Sequence, residues 1–271
     1  VRKYIMFKIN EDQLEVLRNK QGYISDMDGV IYHGNCILPG VKEFVDWLYK
    51  EDKPFLFLTN SSERSPRELR QKLSRMGLDV DESHFYTSAL ATAKFLAEQA
   101  PGCSAYVIGA PGLVNALYDV GITMNDVNPD YVVVGETDSY NYNMIIKAVQ
   151  LINKGARLVG TNPDMTGPSE MGIIPACQAL VAPIALATGK TPYFVGKPNP
   201  LMMRTGLKML NVHSADAVMI GDRMDTDIVA GMESGLMTAL VLSGVTSLDN
   251  INVFSYRPSI ILNGVGDIAR K

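Results

Sequence analysis

The chain has 271 residues, enough for a sizeable core and for two domains. A hydrophobic share of 46% with 20% charged residues describes an ordinary globular protein, not a disordered or fibrous one. The net charge of −4 argues against nucleic acid or an anionic membrane as partner, and no apolar run is long enough to cross a bilayer.

Residues 1–7 are too short and too polar a stretch for a signal peptide, so cytoplasmic residence is the expectation. Asn10-Glu11-Asp12-Gln13 opens a helix in the manner of a capping box, with Leu14, Val16 and Leu17 as its apolar face. A strand from Tyr23 then runs into Asp26-Met27-Asp28-Gly29. Residues 30–38 read as a hairpin turning at Gly34-Asn35. Val41, Phe44, Val45 and Leu48 have helical spacing, and Trp47 beside them reads as core packing. Residues 54–58 form an apolar strand buried on both faces, ending in Thr59-Asn60. Ser65-Pro66-Arg67-Glu68 starts the next helix with a capping box and Pro at its first position, and Gly77 closes it.

The rhythm restarts near Phe85. Helices over 87–99, 111–120 and 142–154 lead to strands over 105–108, 131–134 and 157–160. A helix over 175–188 is broken or bent near Pro183. Strand 193–195 leads to Gly196-Lys197-Pro198, and a helix through Leu201, Met202, Leu207 and Leu210 follows. Strand 217–220 ends in Gly221-Asp222, helix 225–234 leads to strand 238–242, and a strand over 259–262 precedes a short terminal helix. Alternating strands and helices predict an α/β fold with a parallel sheet covered on both faces. Ligands of such sheets bind beyond the carboxyl ends of the strands.

Four polar clusters follow apolar strands: Asp26 with Asp28, Thr59 with Asn60, Lys197, and Asp222. If those four strands are parallel neighbours, the clusters share one edge. Three carboxylates, a hydroxyl, turn amides and an ammonium around one point suit a hard divalent cation and a phosphate together. The other candidates read more plainly. The three cysteines, Cys36, Cys103 and Cys177, form no CxxC pair and read as buried or inert thiols. His33, His84 and His213 read as solvated turn residues, Asp225 as a helix N-cap, and the methionines as core filler.

Asp26-Met27-Asp28-Gly29, Thr59-Asn60, Gly196-Lys197-Pro198 and Gly221-Asp222-Arg223-Met224-Asp225-Thr226-Asp227 resemble, in order and spacing, the four motifs of haloacid-dehalogenase-like phosphatases. The long insertion after the second motif resembles the α/β cap of the NagD-type subfamily. Asp126-Val127-Asn128-Pro129-Asp130, Val134-Gly135-Glu136-Thr137, Thr161-Asn162-Pro163-Asp164 and Leu242-Ser243-Gly244-Val245 are likewise similar to the NagD-type subfamily. Residues before Tyr23 lie outside the resemblance.

The resemblance implies a Rossmann-like parallel-sheet core over 1–82 and 189–271, with an inserted cap over 83–188. It implies a Mg²⁺-dependent phosphatase acting on a small phosphorylated metabolite, UMP-like nucleoside monophosphates before sugar phosphates, phosphoglycolate or pyridoxal phosphate. Asp26 is then the nucleophile that forms an aspartyl-phosphate. Asp28 is the acid/base for the leaving group and water, and it meets the metal through its backbone carbonyl. Thr59, the Asn60 amide and Lys197 hold the phosphoryl group, and Lys197 also neutralises the nucleophile. Asp222 completes a metal site with Asp26 and Asp28, and Asp227 supports Lys197 or a metal-bound water. From the cap, Asn162 and Asp164 reach substrate or merely form a turn, and Tyr140 and Tyr142 stack on a base or merely start a helix. A different class stays open: receiver-type signalling modules also combine an acidic pocket, a Thr and a Lys. A dinucleotide-binding domain lacks its signal, because no GxGxxG follows the first strand.

Overall fold

A computed structural model describes residues 8–169 and 172–269, so the expectation placed on residues 1–7 lies outside the described residues. The chain forms two compact units. The first takes residues up to Leu58, Arg70–Phe85 and residues from Met203 onward; the second takes Thr59–Leu69 and Tyr86–Met202. The second therefore holds nearly all of the insertion, together with the Thr59–Leu69 segment and the stretch 189–202.

The first unit is built on a six-stranded sheet. Its order is Ile260–Leu262, Met237–Val241, Ala217–Gly221, Gly22–Ser25, Phe55–Thr59, Phe85–Thr87. Gly22–Ser25 runs parallel to both neighbours, with Ile24 level with Met219 on one side and Leu56 on the other. Its strands are near-continuous apolar runs because helices cover both faces. Tyr23, Ile24, Phe57, Val218 and Leu240 are all buried, and each such large side chain contributes about 1.5–3 kcal/mol by leaving water. Along the chain, the next strand of this sheet, Phe55–Thr59, joins Gly22–Ser25 on one side, while Ala217–Gly221 joins on the other. That reversal of strand order opens a crevice at the carboxyl ends of these two strands.

The helix Glu11–Arg18 begins as its sequence predicts, with Asn10 accepting from the Gln13 N–H at 3.1 Å. Its place in the unit was not legible. The Tyr23 hydroxyl donates to the carbonyl of Leu17 at 2.8 Å, and Arg18 Nε donates to that of Ile268 at 2.8 Å. The helix thus ties the central strand to the last helix, Gly266–Ala269. The capping box at Ser65 forms: the Ser65 N–H reaches Glu68 Oε2 at 2.8 Å, and the Glu68 N–H reaches Ser65 Oγ at 3.3 Å. The small hairpin pairs Tyr32–His33 with Cys36–Ile37. Trp47 stacks on Phe44 and meets Tyr23 edge-on, the packing role read for it. His84 departs from expectation: its ring lies flat on Phe55, 3.9 Å between centroids, with Nδ1 2.9 Å from the Phe55 carbonyl.

The second unit has its own sheet of five parallel strands, ordered Tyr193–Phe194, Arg157–Gly160, Tyr131–Val134, Ser104–Ile108, Thr123–Met124. Val132, Val134, Leu151, Ile152, Val181 and Ile184 form the core between this sheet and the helices Tyr142–Asn153 and Cys177–Thr188. Three features differ from the sequence reading. Tyr193–Phe194 pairs with Arg157–Gly160, so the four motif-bearing strands are not all neighbours in one sheet. A two-residue strand carries too little pattern to reveal its partner; the ladder continues instead through Val195 N–H to Gly160 O and Gly196 N–H to Thr161 O. A hairpin of Thr166–Ser169 with Gly172–Pro175 occupies what read as loop and helix start, and the helix begins at Cys177. That helix then runs unbroken to Thr188 with Pro183 inside it. Cys103 and Cys177 are buried, as one half of their reading has it, and Cys36 is exposed. Among the described residues, no helix is long and apolar enough to cross a membrane.

Candidate active site

Asp26 and Asp222 follow directly on two neighbouring parallel strands, so their side chains leave the same sheet edge. The Asp26 N–H still donates to Ile220 O at 2.8 Å, which extends the ladder to the motif itself. A third carboxylate joins them from Asp227. The expected helix over 225–234 starts instead as a π-type turn, Met224–Ile228, before Val229–Glu233. The Ile228 N–H reaches back five residues to Arg223 O, and the Arg223 N–H donates to Asp227 Oδ2 at 3.1 Å. This wide winding brings Asp227 to the strand end, a placement common at functional sites.

Asp26, Asp222 and Asp227 are all buried, each with a carboxylate oxygen within 4.8 Å of the others. Asp222 is braced by the next loop: Oδ2 accepts from the Val245 N–H at 2.6 Å, and its carbonyl accepts from the Thr246 N–H. Gly29 permits this closeness. Its φ is 77°, and a Cβ there would stand 2.5 Å from Asp222 Oδ2. Three clustered, buried carboxylates repel one another and lack water, so the arrangement is costly without a positive charge among them. The donor set is entirely oxygen, which fits a hard divalent cation such as Mg²⁺.

Asp28 stands beside this trio along the chain but its side chain faces the hairpin. Its Oδ1 lies 3.7 Å from Nδ1 of His33, so His33, read as a plain turn residue, faces the proposed acid/base group. Burial raises the Asp28 pKa above the usual carboxylate value, while His33 and Lys72 pull it back. Lys72 sits over the Tyr32 ring, 3.8 Å from its centroid. Asp225 does not cap the helix. It forms a two-bond fork with Arg223, at 3.1 and 2.9 Å, on the exposed side of the turn.

In the second unit, Lys197 and Asn60 are locked together. Asn60 Oδ1 accepts from the Lys197 N–H at 2.7 Å, and Asn60 Nδ2 donates to Lys197 O and to Asp164 Oδ2, both at 3.0 Å. A carboxamide has two N–H donors, and both are engaged here. The Asn60 side chain therefore has no N–H left to offer a further acceptor. Thr59 closes its strand, and its Oγ accepts from the Ser61 N–H at 3.1 Å, which leaves the hydroxyl proton to donate elsewhere. Lys197 is 2% exposed, a burial tolerated by lysine only where acceptors or negative charge surround it. Asn162 and Asp164 do form the turn that their sequence suggested, with the Asp164 N–H on Asn162 Oδ1 at 3.0 Å. They also grip Asn60, a use the sequence did not disclose. Tyr140 donates to Leu180 O and packs in the core, while Tyr142 is exposed.

Asp26 and Asp222 thus come together as expected, and Asp227, read as a supporting residue, is the third carboxylate beside them. Asn60 and Lys197 come together through main-chain and carboxamide groups. The signal for Asp227 was present in the run of three Asp after Gly221, but only the winding of the turn selects which of them points inward.

Comparison with known proteins identifies the family. The haloacid dehalogenase-like hydrolase family model matches residues 23–123, and a HAD-hydrolase-like model matches residues 194–268. The chain is 45% identical to dihydroxyacetone phosphatase of Corynebacterium glutamicum over 247 residues, covering 91% of this chain and 90% of that protein. It is 45% identical to ribonucleotide monophosphatase NagD of Escherichia coli K12 over 245 residues, covering 90% and 96%. The solved structure of NagD from E. coli K-12 superposes with a TM-score of 0.87 at 44% identity, over 92% of this chain and 98% of that one. The chain therefore belongs to the haloacid dehalogenase-like hydrolases, and within them to the phosphoric monoester hydrolases that share the NagD architecture.

Proposed function

We propose that the protein hydrolyses small phosphomonoesters with Mg²⁺ through an aspartyl-phosphate on Asp26. The observation that carries this reading is the buried trio Asp26, Asp222 and Asp227 at the reversal point of the six-stranded sheet. Asp26, Asp222 and the Asp28 carbonyl would hold the metal. Bound Mg²⁺ supplies positive charge that lets a carboxylate approach an anionic ester. A carboxylate oxygen of Asp26 attacks phosphorus as the ester oxygen departs with a proton from Asp28. Asp28 then takes a proton from the water that cleaves the acyl phosphate, which returns Asp26 and releases phosphate. The raised pKa of Asp28 keeps its acid form populated to higher pH than an exposed carboxyl would. Thr59, the Asn60 backbone N–H and Lys197 are assigned to the phosphoryl oxygens, where preorganised donors and cation lower the barrier most. Residues 83–188 act as the cap that excludes water and supplies contacts to the leaving group.

For the substrate, nucleoside monophosphates such as UMP are our first reading, supported by the similarity to NagD. The equal identity to dihydroxyacetone phosphatase supports a second reading, small sugar or triose phosphates. Phosphoglycolate and pyridoxal phosphate belong on the same panel. Phosphate release is measured over these esters with Mg²⁺ and with chelator. Highest kcat/KM on UMP, lost in chelator, supports the first reading; a higher value on dihydroxyacetone phosphate replaces it with the second. A stable phospho-Asp26 without turnover would instead favour a receiver-type module.

A further inference from the structure

The turn from Thr59 to Ser62 is gripped by residues that follow three parallel strands of the second unit's sheet. Glu136 follows Tyr131–Val134, Asn162 follows Arg157–Gly160, and Lys197 follows Tyr193–Phe194. Glu136 is the hub. Its Oε2 accepts a short hydrogen bond from Ser62 Oγ and a longer one, 3.4 Å, from the Ser62 N–H. Its Oε1 accepts from Asn162 Nδ2 at 2.6 Å. Asn162 Nδ2 also reaches Asn60 O at 2.7 Å, and Thr161 Oγ1 reaches Ser62 Oγ at 3.3 Å. The fit is close: a Cβ on Gly135 would stand 2.6 Å from Ser62 Oγ.

A carboxylate offers only acceptors and repels an anionic ester. Glu136 therefore suits holding the donors of a phosphate-binding turn, not touching phosphate. We propose that Glu136 is a positioning residue: through Ser62 and Asn162 it sets the Thr59–Ser62 turn, and with it Asn60 and the Lys197 peptide, for the phosphoryl group of every substrate alike. This rests on the phosphatase reading above. Because the phosphoryl group is common to all substrates, the effect of losing Glu136 is the same for each leaving group. A contact with the leaving group would instead change the ranking of substrates.

The test uses the full chain with Glu136→Gln, which keeps the shape but replaces one acceptor oxygen with an amide. Three esters that share only the phosphoryl group are assayed: UMP, dihydroxyacetone phosphate and p-nitrophenyl phosphate. Competitive inhibition by inorganic phosphate and the melting temperature are measured alongside. The expected result is a fall in kcat/KM of about 10–100-fold, the size of loss that a small misplacement brings. It is equal across the three esters to within about threefold, with weakened inhibition by phosphate and a folded protein. Glu136→Ala falls further. Ser62→Ala moves in the same direction by less, and it serves as the readout if Glu136→Gln does not fold. Unchanged constants, a loss confined to one ester, or a lowered melting temperature with intact kinetics each overturn the proposal. Wild-type protein that releases no phosphate from any ester sinks the phosphatase reading and this proposal with it; wild-type turnover with an unaffected variant sinks the proposal alone.

Discussion

The two units finish their parallel sheets in opposite chemistry. In the first, the strand ends present three buried carboxylates that no pattern of hydrogen bonds among themselves can reconcile. In the second, the groups that follow the strands hold one another and the Asn60–Ser62 turn, as in the Asn60–Lys197–Asp164 and Glu136–Ser62–Asn162 sets. The difference separates two kinds of polar site. The acidic edge gathers like charges in an all-oxygen donor set that fits a hard cation. The amide edge is cross-linked by its own hydrogen bonds, and what it supplies is fixed geometry.

The comparison breaks most decisively at Asp26. Asp26→Asn keeps the shape of the side chain and removes the nucleophile, so turnover falls on the order of 10⁴-fold or more with the circular dichroism spectrum unchanged. Appreciable phosphate release by that variant would remove the covalent mechanism. Lys197→Ala tests the second edge. Its main-chain bonds to Asn60 persist while the ammonium is lost, and kcat falls about 10²–10³-fold, as removal of one preorganised electrostatic group does elsewhere. Asp222→Asn sharpens the acidic edge by separating function from stability. The Mg²⁺ concentration for half-maximal activity rises by about 10–100-fold. In chelator the same variant melts higher than wild type, by about 2–4 °C per kcal/mol of relieved repulsion, because one of three like charges has gone. A lower melting point in chelator would mean that the trio is already reconciled without a cation.

The smallest effect comes from the second unit's core. Burial pushes the Cys177 thiol up from 9.0 to about 12. The folded state then keeps this proton between about pH 9 and pH 12 while the unfolded chain loses it. Cys177 thus stabilises the fold below pH 9, and that contribution is lost as the pH rises toward 12. Denaturation at pH 8 and pH 11 shows a smaller alkaline loss in Cys177→Ala than in wild type. At pH 8 a thiol reagent modifies the exposed Cys36 rapidly, and Cys103 and Cys177 only after unfolding.

Much of the fold was legible because long elements carry their own periodicity. The buried strands at 55–58, 131–134 and 217–220, and the helices with capping boxes at Asn10 and Ser65, lie within a residue or two of where their patterns put them. What failed was short or dictated by a neighbour. Phe85–Thr87, Thr123–Met124 and the hairpin of Thr166–Ser169 with Gly172–Pro175 are strands because an adjacent backbone pairs with them, and Gly167, Pro168, Gly172 and Pro175 argue against strand on their own. The site divided along the same line. Asp26 and Asp222 were legible as acids ending apolar strands. The use of the Asn60 side chain, the partner of Asp28 and the role of Glu136 were not, since each depends on a residue distant in sequence.

From its residues alone this chain declares an α/β fold, the order of its four motifs and the chemical kinds of group that end its strands. Those follow from local periodicity and residue type, which travel with the sequence. The tertiary structure alone decides that Tyr193–Phe194 joins the second sheet, that Asp227 is the third carboxylate beside Asp26 and Asp222, and that Asn60 braces the Lys197 peptide. Pairing, winding and hydrogen-bond closure are settled between distant segments, by which arrangement buries the apolar faces and leaves the fewest polar atoms unsatisfied.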